Sequence, residues 1–176
     1  MDHAGGIPPP PFDKYYIRID GLAKLLKKYP SITAYIHKDD IPGLVQANPE
    51  IPLDRIDQTT DGFVYKLESK IKTFEFKFIH TPGHTPGSQC IIYKDRRLFT
   101  GDTYFIGNCG RVDFPDSNAD DMRKSLLDKL AKLPDDMIMY PGHNYGGEFT
   151  LIKREKEVGL LREDHLDQCD KFCCKL

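Results

Sequence analysis

Three turns constrain this chain more than any other feature: Gly83-His84, Gly101-Asp102 and Gly142-His143 each follow a strand-like run and end on a side chain that can bind a metal. Glycine lets the backbone reverse sharply without a Cβ clash, so a loop can aim the next residue into a cleft. A fold that uses all three must bring the ends of three strands to one edge of a sheet. Imidazole and carboxylate suit zinc, iron or manganese, and this region has no closely spaced cysteines of a structural zinc module. The pattern therefore points to a catalytic metal rather than a structural one.

The rest of the composition narrows the class. With 176 residues, 39% hydrophobic and 11% aromatic, the chain can bury one substantial core, and a single domain over 1–176 is expected. Residues 1–12 read as an extended proline-rich head, and 166–176 as a cysteine-rich tail. The net charge of −2 is spread over mixed acidic and basic positions, which argues against nucleic acid and anionic membranes as partners. No run is apolar and long enough to span a bilayer, and the start lacks a signal-peptide pattern, so a cytoplasmic protein is expected. Mitochondrial targeting stays open for a longer form. The cysteine count of five is odd, and Cys169, Cys173 and Cys174 crowd one end, which predicts reduced thiols rather than a disulfide framework.

Periodicity sets an α/β reading. Ile19, Leu22, Leu25, Leu26 and Tyr29 recur at helical spacing and stop at Pro30, with Lys24, Lys27 and Lys28 on the other face and in the last turn. A strand is predicted over 31–37, a helical turn over 39–46, and an alternating strand over 71–79. Strands at 88–93 and 97–100 flank the turn Lys94-Asp95-Arg96. Ser117 and Asp120 resemble a capping box opening a helix with Met122, Leu126, Leu127, Leu130 and Leu133, closed by Pro134. A strand at 137–140 and a mixed-charge helix from about 149 to 164 complete the order, which suits a layered α/β protein.

The strings HTPGHTPGSQ, LFTGDTYFIGNCGRVDFP and LAKLPDDMIMYPGHNYGG, with the opening DHAGG, resemble the metallo-β-lactamase superfamily, and within it the glyoxalase II (hydroxyacylglutathione hydrolase) and persulfide dioxygenase branch. The resemblance covers most of 78–147 in family order. It implies a partial α/β/β/α sandwich that lacks its first strands. It assigns His84 to a first metal, Asp102 to a bridging carboxylate, and His143, Asp2 and His3 to a second metal, with Asp2 and Asp102 as the catalytic carboxylates. One or two zinc ions are implied, iron being the second metal compatible with these ligands. In a complete site, metal-bound hydroxide would hydrolyse a thioester, and the partner is a small thioester or another glutathione-derived molecule.

The chain opens at Met1-Asp2-His3, the middle of the family's HxHxDHxGG motif, so Met1 is expected to be an internal methionine of a longer protein. Two alternatives stand beside thioester hydrolysis: iron-dependent persulfide oxidation, and an inactive isoform or partner-binding remnant. Missing strands would leave a sheet edge open to pairing between copies. Arg111 and Tyr145 are the candidate substrate-binding residues. Arg111 reads equally as an ion-pair partner of Asp113, and Tyr145 as a packing residue. His80 reads as a hydrogen-bonded loop histidine, His37 as part of a surface turn, and Cys109 as a packed thiol. The tail's His165, Cys169, Cys173 and Cys174 match no zinc module, and a C-terminal Cys-Lys-Leu fits prenylation poorly.

Overall fold

The structure is a computed structural model in which residues 20–162 are described. Asp2, His3, the proline-rich head and the cysteine-rich tail lie outside the described residues. The chain divides into two compact units that meet in sequence at Thr59 and Thr60.

In the first unit, helix α1 (Asp20–Lys28) is followed by strand β1 (Ala34–His37), a 3-10 turn, helix α2 (Ile41–Ala47) and strand β2 (Ile56–Thr59), which pairs parallel to β1. The helical stripe expected from the sequence buries Leu26 completely, against Ile36, Leu44, Ile51 and Ile56. Leu25 and Tyr29, on the same stripe, stay exposed. The carbonyls at the end of α1 are held by Arg55, whose guanidinium donates to Leu26 O at 2.6 Å, Tyr29 O at 2.7 Å and Ile32 O at 2.6 Å. A residue distant in sequence thus fills carbonyls that the helix end and the turn after it leave open. His37 is buried, contrary to the expected surface turn, and its Nδ1 accepts from the Asp39 amide at 3.3 Å to cap the 3-10 turn Lys38–Asp40.

The second unit is built on a six-stranded sheet in the order β10-β9-β6-β5-β4-β3. Its members are β3 (Val64–Glu68), β4 (Thr73–His80), β5 (Gln89–Tyr93), β6 (Arg97–Gly101), β9 (Ile138–Pro141) and β10 (Thr150–Leu151). One sheet face sends Cys90, Ile92, Leu98 and Met139 into a core with Met122, Leu126, Leu130 and Ile152. Those partners come from helix α3 (Ala119–Lys124), its continuation through residue 132, and helix α4 (Ile152–Val158). The other face carries aromatic stacks, Phe76 on Tyr93 and Phe99 on Tyr140. The mixed α/β architecture read from periodicity is present.

Two helix boundaries differ from expectation for identifiable reasons. The cap of α3 is Asn118, whose side chain accepts from the Asp121 amide at 3.0 Å, while Ser117 Oγ turns back to Phe114 O. Asn is as good a cap as Ser, and only the backbone decides between neighbours. Helix α4 ends at Val158 instead of running to 164, because Gly159 leaves helical geometry at φ −101° and ψ −163°. Beyond α3 the backbone widens into a π turn, Ser125–Lys129, a feature that often accompanies functional sites. It allows Ser125 Oγ to donate to Pro82 O at 2.7 Å and Lys129 Nζ to donate to His80 O at 2.6 Å, so both grip the loop that carries His84.

Candidate metal centre

Strand direction brings the three glycine turns together. β4 and β6 are each antiparallel to β5, so they run the same way, and β9 is parallel to β6. The C-terminal ends of β4, β6 and β9 therefore lie on one edge of the sheet, and His84, Asp102 and His143 follow those ends. At Gly101 the strand leaves register with β9 and takes φ +51°, a left-handed conformation that only glycine adopts without strain. Its carbonyl accepts from the Gly142 amide at 2.9 Å, which ties the Asp102 turn to the His143 turn.

The resulting cluster places one carboxylate between two imidazoles. Asp102 Oδ2 lies 3.9 Å from His84 Nε2, and Asp102 Oδ1 lies 3.4 Å from His143 Nε2. Each carboxylate oxygen faces a different histidine. The His84 and Asp102 side chains are 7% and 10% exposed, and that of His143 is 23%, so the cluster is open mainly on the His143 side.

The orientation of the His84 ring follows from its neighbour. His84 Nδ1 sits 2.7 Å from the carbonyl oxygen of Arg111, and a carbonyl can only accept, so Nδ1 donates a proton there and Nε2 is turned toward Asp102. Outer hydrogen bonds of this kind orient the histidines of metal sites in general. Two donors about 2.0–2.2 Å from one ion at a tetrahedral angle are roughly 3.3–3.6 Å apart, close to the separations seen here. The donor set, two imidazoles and a carboxylate, fits zinc or iron better than magnesium or calcium.

Between Asp102 and Arg111 the chain makes a small hairpin, β7 (Tyr104–Phe105) and β8 (Asn108–Cys109), which periodicity did not reveal because each strand is two residues long. Phe105 is buried and packs edge-on against His143, with ring centroids 5.3 Å apart. Beneath the cluster Thr81 and Thr103 share a hydrogen bond of 2.8 Å, and Thr81 also reaches the Cys90 thiol at 3.4 Å. Burial pushes that thiol up to about 11, despite the hydroxyls beside it. The only sequence signal for these supporting residues was their closeness to the ligands.

The remaining expected residues fall into place as follows. Arg111 is paired with Asp113 through a fork, Nε to Oδ1 at 2.8 Å and Nη2 to Oδ2 at 2.6 Å, and covers the Phe114 ring. The Arg111 guanidinium holds the Asp113 carboxyl below its ordinary range. Tyr145 stacks on His143 with centroids 4.8 Å apart and planes 7° from parallel, and is 59% exposed. His80 is engaged by loop backbone, its Nε2 lying 2.7 Å from Pro86 O. Cys109 is buried, but it is disulfide-bonded, which corrects the expectation of reduced thiols throughout; Cys90 is free.

The chain is similar to known proteins in sequence and in fold. The family model described as the metallo-beta-lactamase superfamily matches residues 1–143. The chain is 41% identical to hydroxyacylglutathione hydrolase GloC of Haemophilus influenzae over 97 residues, 54% of this chain and 42% of that protein. It is 41% identical to the human mitochondrial persulfide dioxygenase ETHE1 over 93 residues, 52% of this chain and 36% of that protein. In both cases the match spans less than half of the relative's length. In structure it superimposes on a metallo-beta-lactamase from Staphylococcus aureus with a TM-score of 0.71 at 23% identity, over 89% of this chain and 49% of that one.

Proposed function

Because this chain belongs to the metallo-beta-lactamase superfamily, we propose that His84, Asp102 and His143 are its share of a metal centre that hydrolyses thioesters of the hydroxyacylglutathione type. The observation that carries the reading is the carboxylate of Asp102, which turns one oxygen to each histidine. Such a carboxylate can serve two cations at once. A bound cation supplies Lewis-acid chemistry: it acidifies a coordinated water and polarises the carbonyl under attack.

The protein's own groups set the conditions for that chemistry. Arg111 O fixes the His84 ring with its Nε2 edge toward Asp102. Phe105 closes one side of His143, and the exposed Tyr145 ring extends the stack toward solvent, where it offers a flat surface and a hydroxyl to a substrate. The Arg111 guanidinium, already forked to Asp113, holds the loop after the hairpin and serves an anionic substrate only through its outer edge. Asp2 and His3 are the further ligands that the family motif supplies. Zinc is the metal proposed.

The similarity to a persulfide dioxygenase favours a second reading, in which a single iron in the same cluster supports oxidation of a glutathione persulfide. The two separate in one experiment. The purified chain is assayed for bound metals by mass spectrometry, for hydrolysis of S-(2-hydroxyacyl)glutathione and for oxygen uptake with glutathione persulfide. Zinc with hydrolysis lost in Asp102→Ala supports the first reading, and iron with oxygen uptake supports the second. A chain that takes up no metal and performs neither reaction overturns both.

A further inference from the structure

One hairpin touches all three candidate ligands. β7 begins two residues after Asp102, and the Thr100 hydroxyl donates to Tyr104 O at 2.7 Å to fix that entry. Phe105, in the same strand, packs on His143. At the exit, Gly110 lies against Asp102 so closely that a Cβ there would meet the Asp102 carbonyl oxygen, and Arg111 O holds His84 Nδ1. Whatever fixes the hairpin therefore fixes the relative placement of His84, Asp102 and His143.

The hairpin is held by a buried carboxylate from the far end of the unit. Glu155 of α4 is 1% exposed. Its Oε2 accepts from the Tyr104 hydroxyl at 2.7 Å and from the Gly107 amide at 3.1 Å, one donor at the start of the hairpin and one at its tip. Its Oε1 accepts from Thr150 Oγ1 at 2.8 Å. Tyr104 Oη in turn accepts from the Leu160 amide at 3.1 Å, so α4 and the segment that follows it are tied to the hairpin at one point. Burial, then the Glu155 carboxylate, push the Tyr104 phenol far up, which keeps it a donor at any working pH.

A carboxylate taken out of water is costly unless its lone pairs are filled. An apolar residue would pack α4 against the core without that cost. The three donors aimed at Glu155 thus mark a place where position matters more than burial. We propose that Glu155 is the positioning residue of the metal cluster, acting through the β7–β8 hairpin to hold the Arg111 carbonyl against His84 Nδ1 and Asp102 between the two histidines. The proposal rests on the metal-centre reading for its purpose, but it is tested in metal-free protein, so the two can fail separately.

The test reads the ring Nδ1–H of His84 by NMR in histidine-labelled, metal-free protein, together with amide exchange from Gly107 to Arg111. Wild type is expected to show a His84 Nδ1–H protected by the Arg111 carbonyl. Glu155→Leu is expected to lose that protection and to speed exchange in the hairpin by about tenfold or more, with the sheet amides unchanged. Glu155→Gln keeps a carbonyl oxygen for Tyr104 and Gly107 and is expected to restore the wild-type pattern. Tyr104→Phe removes one donor while keeping the ring, and is expected to give intermediate protection; it decides the matter if Glu155→Leu does not fold. Unchanged His84 Nδ1–H protection with unchanged hairpin exchange in Glu155→Leu, or in Tyr104→Phe when the leucine variant is unfolded, overturns the proposal. So does a Glu155→Gln protein as disturbed as Glu155→Leu.

Discussion

Gly110 and Asp102 are in backbone contact: a methyl group on the Gly110 Cα would stand 2.0 Å from the Asp102 carbonyl oxygen and 3.1 Å from Cγ of His84. No L side chain fits there unless the hairpin moves off the cluster. Gly110→Ala should therefore cost about 1–3 kcal/mol, as overpacking of a filled site does. At roughly 2–4 °C per kcal/mol for a chain of this size, calorimetry resolves the drop. The same variant should retain less metal than wild type, and full metal content with an unchanged melting temperature would show that the contact is easily relieved.

Asp102→Asn tests charge against shape. The amide keeps the size of the side chain and one oxygen, yet it can no longer offer two anionic faces to His84 and His143. Since loss of an outer-shell partner alone weakens metal binding by about 10–100-fold, loss of the central ligand should weaken it by ~100-fold or more. Competition with a chromogenic chelator measures this, and circular dichroism should show the fold retained. Equal metal affinity in the asparagine variant would mean that Asp102 does not ligate.

Cys90 makes a pH prediction with a definite sign. Its thiol is fully buried and its pKa rises from 9.0 to about 11, so the folded state holds a proton that the unfolded state has already released. The contribution to stability is complete below pH 9.0 and is lost as pH rises toward 11. At its largest it is on the order of 2–3 kcal/mol. Urea midpoints measured from pH 7 upward should fall more steeply in wild type than in Cys90→Ala. A thiol reagent at neutral pH should label Cys90 only as the protein unfolds.

Asp61 gives the opposite slope. Partial burial raises its pKa, but the His80 amide at 2.7 Å and the Lys129 ammonium at 3.0 Å outweigh that and leave it lowered. Its contribution is present above the ordinary value of 3.8 and is lost as pH falls through the depressed one. More than half of the Asp61 side chain is exposed, so the effect is screened to about 1 kcal/mol or less. The stability gap between wild type and Asp61→Asn should be present at neutral pH and close as pH falls below 3.8, and a variant as stable as wild type at neutral pH would assign the grip on the His80 loop to Lys129 and the backbone alone.

What the sequence disclosed depended on range. The convergence of Gly83-His84, Gly101-Asp102 and Gly142-His143 was legible because each candidate ligand sits next to the glycine that turns it, at the end of a strand readable from the sequence. Strands β2 and β3 went unread. Asp57 and Gln58 of β2 are exposed, and β3 shows only partial alternation, so neither strand stands out from a polar linker. The β7–β8 hairpin is too short for any period. Arg55 capping α1 and Glu155 anchoring Tyr104 act across 29 and 51 positions, and nothing local marks such a pair. Asp2 and His3 carry a ligand signal in the motif alone, since they fall outside the described residues.

Tyr145 offers the sharpest separation of binding from chemistry. Its ring lies parallel to His143 and edge-on to Phe105 at 5.2 Å, yet more than half of it faces solvent. An aromatic contact of this kind contributes about 0.5–1.5 kcal/mol beyond area burial, and a substrate that stacks or hydrogen-bonds on the exposed ring would lose a similar amount in Tyr145→Ala. If the ring only recognises substrate, KM should rise by up to about tenfold while kcat and metal content stay as in wild type. If it also steadies His143, metal content and kcat should fall together, and Tyr145→Phe should recover both, because the stack needs the ring and not the hydroxyl. Steady-state kinetics on metal-quantified samples of the two variants distinguish these outcomes, and an alanine variant with wild-type KM, kcat and metal content removes Tyr145 from the site.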